Sequence, residues 1–336
     1  VCAALRHSFN SLKVADNKYD QHMNERICVG PQHKSDTTLF TVWAPLKQRV
    51  VLHLPELKQT VEMTKDANGY WHASVSARPT GTRYQYKLDD GKLLPDPASR
   101  WQPSGVHNAS AVPAFDYAWH DDNWKGVSLA DMIIYELHIG TFTLAGTFTA
   151  AIEKLPYLTS LGINAIELMP IAQFPGSRNW GYDGVYPFAV HTDYGGVTGL
   201  KAFVDAAHAA GIAVILDVVY NHFGPEGNYV QEFAPFFTNK YKTNWGSAVN
   251  FDDAYSDGVR NFYIQNALMW LQEFHIDALR LDAVHAIWDS GAKHFTQLLA
   301  DEVAMLEHVC GCGGLLIAEI DFNNPRYITP ASKGGY

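Results

Sequence analysis

Four short segments of this 336-residue chain gather side chains able to do acid–base or nucleophilic chemistry. The densest is Ala278 to His285, which contains Arg280-Leu281-Asp282. Alternation along a strand places Arg280 and Asp282 on the same side. A guanidinium that close keeps the carboxylate ionised near neutral pH. An ionised, oriented aspartate beside a sugar can serve as a glycosidase nucleophile. A buried Arg–Asp ion pair would use the same two residues. The second segment, Asp217 to His222, ends an apolar run in Tyr220-Asn221-His222. There His222 could donate to a substrate hydroxyl and Asp217 could order the network behind it, although a hydrogen-bonded histidine at a strand end is the plainer reading.

The third segment is Ile317-Ala318-Glu319, a carboxylate closing an apolar strand. In a partly dry site such a group is raised in pKa and suits a general acid. The fourth is Asn179-Trp180-Gly181-Tyr182-Asp183-Gly184. Aromatic residues between glycines make poor core material, so Trp180 and Tyr182 read as a stacking platform for a sugar ring. Together the segments supply two carboxylates, a guanidinium, the imidazoles of His222 and His285, and aromatic faces, the set that a retaining glycosidase uses.

The elements that must position these groups fall into two regions. Residues 33–118 carry short period-two runs, at Leu39–Trp43, Val50–Leu54, Tyr70–Val75 and Arg83–Leu88, punctuated by Gly and Pro. This is the pattern of a small immunoglobulin-like β-sandwich. An irregular stretch rich in Pro, Asp and aromatic residues follows from Pro95, and 119–130 reads as the linker. From 131 to 336 strand-length apolar runs alternate with helical periods, at Met132–Leu137, Ala165–Met169, Ala213–Val218, Ala278–Asp282 and Leu315–Glu319. Repeated βα units imply a parallel sheet. His138-Ile139-Gly140-Thr141-Phe142 is not the Gly-rich phosphate turn of a doubly wound sheet. Polar residues recur instead at several strand C-termini, which favours a (β/α)8 barrel. Roughly 200 residues against about 250 for a whole barrel predict one cut after about five βα units, with sticky, uncovered apolar faces. Pro156 should kink or divide the first crossover helix. Residues 1–32 show no sustained period and stay unassigned, and the opening Val1-Cys2-Ala3 reads as a chain whose true beginning is missing.

Lys and Arg total 25 against 35 Asp and Glu, a net charge of −10, which argues against a nucleic-acid partner. No apolar run approaches the roughly 18–20 residues that span a bilayer. Cys2, Cys28, Cys310 and Cys312 are too few and wrongly spaced for a disulfide framework or a CxxC metal site. They read as reduced thiols of a cytoplasmic protein, with no metal and no cofactor expected.

The ordered segments Asp217–His222, Arg280–His285 and Ala318-Glu319 resemble three of the four signatures of the α-amylase superfamily of glycoside hydrolases. Glu136–Phe142, Gln173–Asp183, Phe223–Tyr229 and Glu319–Arg326 resemble the branch that releases trehalose from maltooligosyltrehalose, except that Ile320 stands where that branch has Ser. The resemblance runs from about residue 35 to the end and implies an α-glucan substrate. It makes Asp282 the nucleophile and Glu319 the general acid and base. It has Arg280 holding the Asp282 charge, His222 and His285 binding hydroxyls of the reacting sugar, and Tyr182 stacking beneath it, with Trp180, Asp217 and Asn221 lining the site. The fourth signature, a His-Asp pair beyond strand seven, has no position here, so the resemblance implies that this stretch alone is inactive. A glucan branching enzyme, a metal-dependent barrel hydrolase using Asp217, His222, His285 and Glu319, and a non-catalytic glucan-binding protein remain the alternatives.

Overall fold

Short alternating runs make two facing antiparallel sheets at the N-terminal end of the chain. The computed structural model describes residues 28–34, 36–310 and 314–335. The first 27 residues and the stretch 311–313, with Cys2 and Cys312, lie outside the described residues. Strands β1 (Gly30–Lys34), β2 (Thr37–Trp43), β3 (Val50–Leu54), β4 (Gln59–Glu62), β5 (Thr64–Lys65), β6 (Tyr70–Ser76), β7 (Arg83–Leu88), β8 (Leu93–Leu94) and β9 (Ser110–Ala111) form the sheets β1-β2-β6-β5 and β4-β3-β7-β8, with β9 on β7. The alternation in β7 turns Tyr84, Tyr86 and Leu88 inward. Residues 30–32, left unassigned by pattern, belong to this region: Gly30, Pro31 and Gln32 pair with Thr41, Phe40 and Leu39. Five residues containing Gly and Pro are too few to show a period of their own, and the partner strand sets their register.

The second region is a parallel sheet of β10 (Ile134–Leu137), β11 (Ala165–Leu168), β14 (Ala213–Val218), β17 (Ala278–Leu281) and β18 (Leu315–Ala318) in that spatial order. Strands β12 (Ala172–Gln173) and β13 (Tyr186–Val190), and β15 (Phe237–Thr243) and β16 (Gly246–Val249), form two separate hairpins. The helices are α1 (Ile139–Phe142), α2 (Phe148–Ile152), α3 (Leu155–Ser160), α4 (Gly196–Ala209), α5 (Val230–Phe233), α6 (Ser256–Glu273) and α7 (Phe295–Cys310). The first crossover is divided: α2 ends before Glu153, and Pro156 lies in the first turn of α3, where a missing N–H is tolerated. Every residue of central β14 is buried, whereas Ile134, Tyr135 and Glu136 of outer β10 are exposed. Among the described residues the sheet does not close on itself. The α5 helix and the β15–β16 hairpin lie in a stretch for which the sequence pattern gave no strand or helix. Six of the seven β15 residues are half-buried or more exposed in irregular order, so no hydrophobic alternation announced it.

The expected linker is instead a packed strap. Asp96 is buried, accepting from Tyr84 Oη at 2.8 Å, and Ser110 Oγ accepts from its amide. Asp121 Oδ2 meets Nδ1 of both His208 and His275 at 2.8 Å. His208 Nε2 meets Asp277 Oδ2 at 3.0 Å, and Trp124 stacks on its ring while donating to Asp277 Oδ1. Burial alone would lower the His208 pKa, but hydrogen bonds and charge from Asp277 and Asp121 outweigh it and raise the value. The two regions share one hydrophobic core, with Trp43 edge-on to Phe236 at 5.6 Å and Tyr86 edge-on to Phe233. Arg100 and Glu273 add a 2.5 Å ion pair across the boundary.

Two outcomes follow. A Cβ at Gly258 would lie 2.1 Å from the Trp43 ring, so Gly258→Ala should lower stability by about 1–3 kcal/mol, seen as a reduced urea midpoint with unchanged slope. Because the folded pKa of His208 is raised, its contribution to stability is complete below the unfolded value near 6.5 and is lost as pH rises through the folded value. His208→Gln should therefore destabilise more at pH 6 than at pH 9, and an equal loss at both would contradict the imidazolium.

Candidate active site

Arg280 stands at the centre of the parallel sheet's C-terminal end, because β17 pairs with β14 on one side and β18 on the other. The registers Asp217↔Arg280 and Arg280↔Ile317 bring the three strand ends level. Its Nη1 donates to Asp217 Oδ2 at 2.6 Å and Asp282 Oδ1 at 2.9 Å, and its Nη2 lies 3.1 Å from Glu319 Oε2. Glu167 Oε1 of β11 stands 4.0 Å from Nε. Desolvation opposes the charge on Arg280, yet hydrogen bonding and charge from Asp217, then Glu319 and Asp282, raise its pKa.

Asp282 is nine-tenths buried. Asn221 Nδ2 donates to both its backbone oxygen and its Oδ2 at 2.8 Å. The chain then turns through Ala283 at φ 42°, ψ 53°, a left-handed conformation that a Cβ disfavours. The turn aims the Ala283 N–H at Glu319 Oε2, 2.7 Å away. Asp282 and Glu319 are thus joined twice, through one guanidinium and through one backbone amide. The Glu319 side chain is 47% exposed, so the partly dry surroundings expected for it are not found. Its neighbours are donors on one side and open space on the other.

Asp217 has a fully enclosed side chain and accepts from Tyr182 Oη at 2.9 Å as well as from Arg280. Burial pushes it up to about 7 against the pull of Arg280 and Tyr182. Burial likewise raises Tyr182. His222 Nε2–H donates to the Tyr182 carbonyl at 2.9 Å, and its Nδ1 lies 2.5 Å from Asn221 Oδ1. Both ring nitrogens therefore face carbonyl oxygens, and burial lowers the His222 pKa. His285 sits 3.3 Å from Asp321 Oδ1 in poor hydrogen-bond alignment and packs against Phe322.

The loop carrying Tyr182 is held by its own sequence. Asn179 Oδ1 accepts from the Gly181 amide at 2.7 Å, and His138 Nε2 donates to the Asn179 carbonyl. Gly181 adopts φ 101°, and a Cβ there would fall 1.9 Å from the Pro170 oxygen.

The structure gathers Arg280, Asp282, Glu319, Asp217, Tyr182, Asn221 and His222 into one cluster. Trp180 stands apart, 72% exposed. Asn221 turns to Asp282 and His222 and so lies behind the carboxylate, not on an open substrate face. Two members were not legible in the pattern. Glu167 lies mid-strand, and burial with the charge of Glu136 raises its pKa. Trp245, at the tip of the β15–β16 hairpin, stacks on His222 with centroids 4.7 Å apart and planes 6° apart. A lone aromatic among polar turn residues gives no signal until the hairpin folds over the strand ends.

One guanidinium is thus shared by three carboxylates at neighbouring parallel strand ends. Residues 120–245 match the family described as Alpha amylase, catalytic domain, and residues 28–100 match Carbohydrate-binding module 48 (Isoamylase N-terminal domain). Over residues 120–245 the chain is similar to the α-amylase catalytic family. The malto-oligosyltrehalose trehalohydrolase of Saccharolobus solfataricus is 50% identical over 301 residues, 90% of this chain and 52% of that protein. The malto-oligosyltrehalose trehalohydrolase of Mycobacterium tuberculosis is 48% identical over 302 residues, 88% of this chain and 51% of that protein. A solved structure described as "Putative alpha Amylase" from Salmonella typhimurium matches with a TM-score of 0.81 and 41% identity, over 88% of this chain and 50% of that one. The chain spans about half the length of the curated relatives it matches. No helix among the described residues is long and apolar enough to cross a membrane.

Asn221→Ala should leave the Asp282 carboxylate and backbone oxygen short of their buried donor, a cost of about 1–3 kcal/mol in unfolding free energy. Denaturation of the 336-residue chain checks it, and an unchanged midpoint would separate Asn221 from Asp282.

Proposed function

We propose that the intact protein is a retaining glycoside hydrolase that cleaves the α-1,4 bond beside the terminal trehalose of maltooligosyltrehalose and releases trehalose. The observation that carries this reading is the pairing of Asp282 and Glu319 on one guanidinium at adjacent strand ends. In this reading the five parallel strands are the first five of a (β/α)8 barrel, and the sandwich is a glucan-binding module ahead of it.

Asp282, paired with Arg280 and oriented by Asn221, attacks the anomeric carbon as the glycosidic bond breaks. Glu319 protonates the leaving oxygen. Ala283 N–H and Arg280 occupy Oε2, so Oε1 carries that proton. With the trehalose portion gone, the same carboxylate takes a proton from water, which opens the glycosyl-enzyme with net retention. Retaining chemistry calls for carboxyl groups about 5–5.5 Å apart, a spacing that a shared guanidinium supports. His222 and His285 hydrogen-bond hydroxyls of the reacting sugar. Tyr182, Trp245 and the more distant Trp180 offer aromatic faces to glucosyl rings. The identities to proteins named for trehalose release support this over the branching reading, in which a sugar hydroxyl replaces water.

In the intact protein, Glu319→Gln should lower kcat by about 10²–10⁴-fold, and Asp282→Asn should lower it at least as far. Anomer-resolved NMR of the cut maltooligosyltrehalose should show the α-anomer first. An initial β-anomer, or chain transfer to amylose in place of trehalose release, would overturn the assignment.

A further inference from the structure

Four carboxylates stand within 4.0 Å of a single guanidinium, those of Asp217, Asp282, Glu319 and Glu167. With all four ionised the cluster would carry three uncompensated negative charges, in a place where little water can screen them. One member differs from the rest. Asp217 has no exposed side-chain surface. Its Oδ2 takes two donated hydrogen bonds, from Arg280 and Tyr182, and its Oδ1 has no protein partner. An ionised carboxylate with one oxygen unpaired in the interior is a costly arrangement.

The surroundings of Asp217 fit the neutral form. A cavity of about 20 Å³ borders it, walled by Pro170, Gly181, Gly184, Val219 and Tyr220. That is room for a water, which needs about 10–15 Å³ and polar partners. A hydroxyl on Oδ1 would have an acceptor there, while a carbonyl-like Oδ2 keeps both of its donors. We propose that Asp217 holds a proton of its own in the resting cluster, a neutral carboxylic acid protonated on Oδ1, which leaves the Arg280 charge for Asp282 and Glu319.

The groups facing Asp217 are Arg280 and Asp282 from β17 and its end, Tyr182 from the 179–184 loop and Glu319 from β18. Glu167 from β11 lies across the same guanidinium with Glu136 from β10 acting on it, and His222 lies beyond the end of the Asp217 strand. All but Arg280, Tyr182 and His222 are acidic, so loss of the Asp217 proton would add a fifth negative group to the site. Burial pushes the carboxyl in the same direction, up to about 7. Asp217 would act as a positioning residue, through Arg280. Its catalytic consequence rests on the glycosidase reading, whereas the proton itself does not.

The test is ¹³C NMR of the 336-residue chain labelled at aspartate carboxyl carbons, titrated between pH 5 and 9. One resonance should keep its carboxylic-acid shift at pH 6 and be missing from Asp217→Asn. It should also move with a midpoint near neutrality. Tyr182→Phe removes a donor that favours the charged form and should shift that midpoint upward, an arm that works even if Asp217→Asn does not fold. The proposal is overturned if every aspartate is ionised at pH 6, if the protonated resonance survives in Asp217→Asn and vanishes in Asp282→Asn, or if Tyr182→Phe leaves the midpoint unmoved. A protonated Asp217 in an intact protein without trehalose-releasing activity would sink the functional reading alone. An active enzyme with Asp217 ionised at pH 6 would sink only this proposal.

Discussion

The Arg280 guanidinium is the interaction on which the rest of the site depends. It is planar, permanently charged and rich in donors, so it can hold several carboxylates in fixed relation, which a lysine could not. Asp217, Asp282 and Glu319 come from three neighbouring strands and would repel one another without it. Each is placed by backbone register, and the cation between them makes that placement tolerable. A charged cluster of this kind is poor evidence for stability, since its desolvation offsets much of the attraction. Such a cluster of coupled carboxylates at strand C-termini marks a candidate functional site.

Local conformation sharpens that arrangement. Ala283 accepts a left-handed backbone immediately after Asp282, a strained choice for a residue with a side chain. The turn swings its amide toward Glu319 and binds the two acids through main chain as well as through Arg280. Gly181 performs the opposite service, using a conformation natural to glycine so that Tyr182 can reach Asp217 from above. Asn221 supports Asp282 from behind with one amide group and faces His222 with the other end.

The two regions of the chain are not independent bodies joined by a tether. One hydrophobic core runs through both, and the strap between them is fixed at the N-terminal end of the parallel sheet by His208 between two aspartates. The sheet therefore carries a buried ionic clasp at one end and the Arg280 carboxylate cluster at the other.

Much of this was legible before any fold was known. Strands at Val50–Leu54, Arg83–Leu88 and Ala213–Val218 stand where hydrophobic alternation or an unbroken apolar run put them, because burial dictates those patterns. The pairing of Arg280 with Asp282 follows from strand geometry two residues apart, and the division near Pro156 from proline's missing donor. Tertiary structure alone decided the rest. The β15–β16 hairpin and Trp245 were invisible, since mostly exposed polar residues leave no period. The strap at 95–124 looked irregular because its order comes from partners more than eighty residues away, such as Asp205, His208 and Asp277. Glu319 turned out half-exposed, and Glu167 joined the cluster, for the same reason: sequence states which groups a strand carries, while only the packing of neighbouring strands sets how far each is from water and from the next charge.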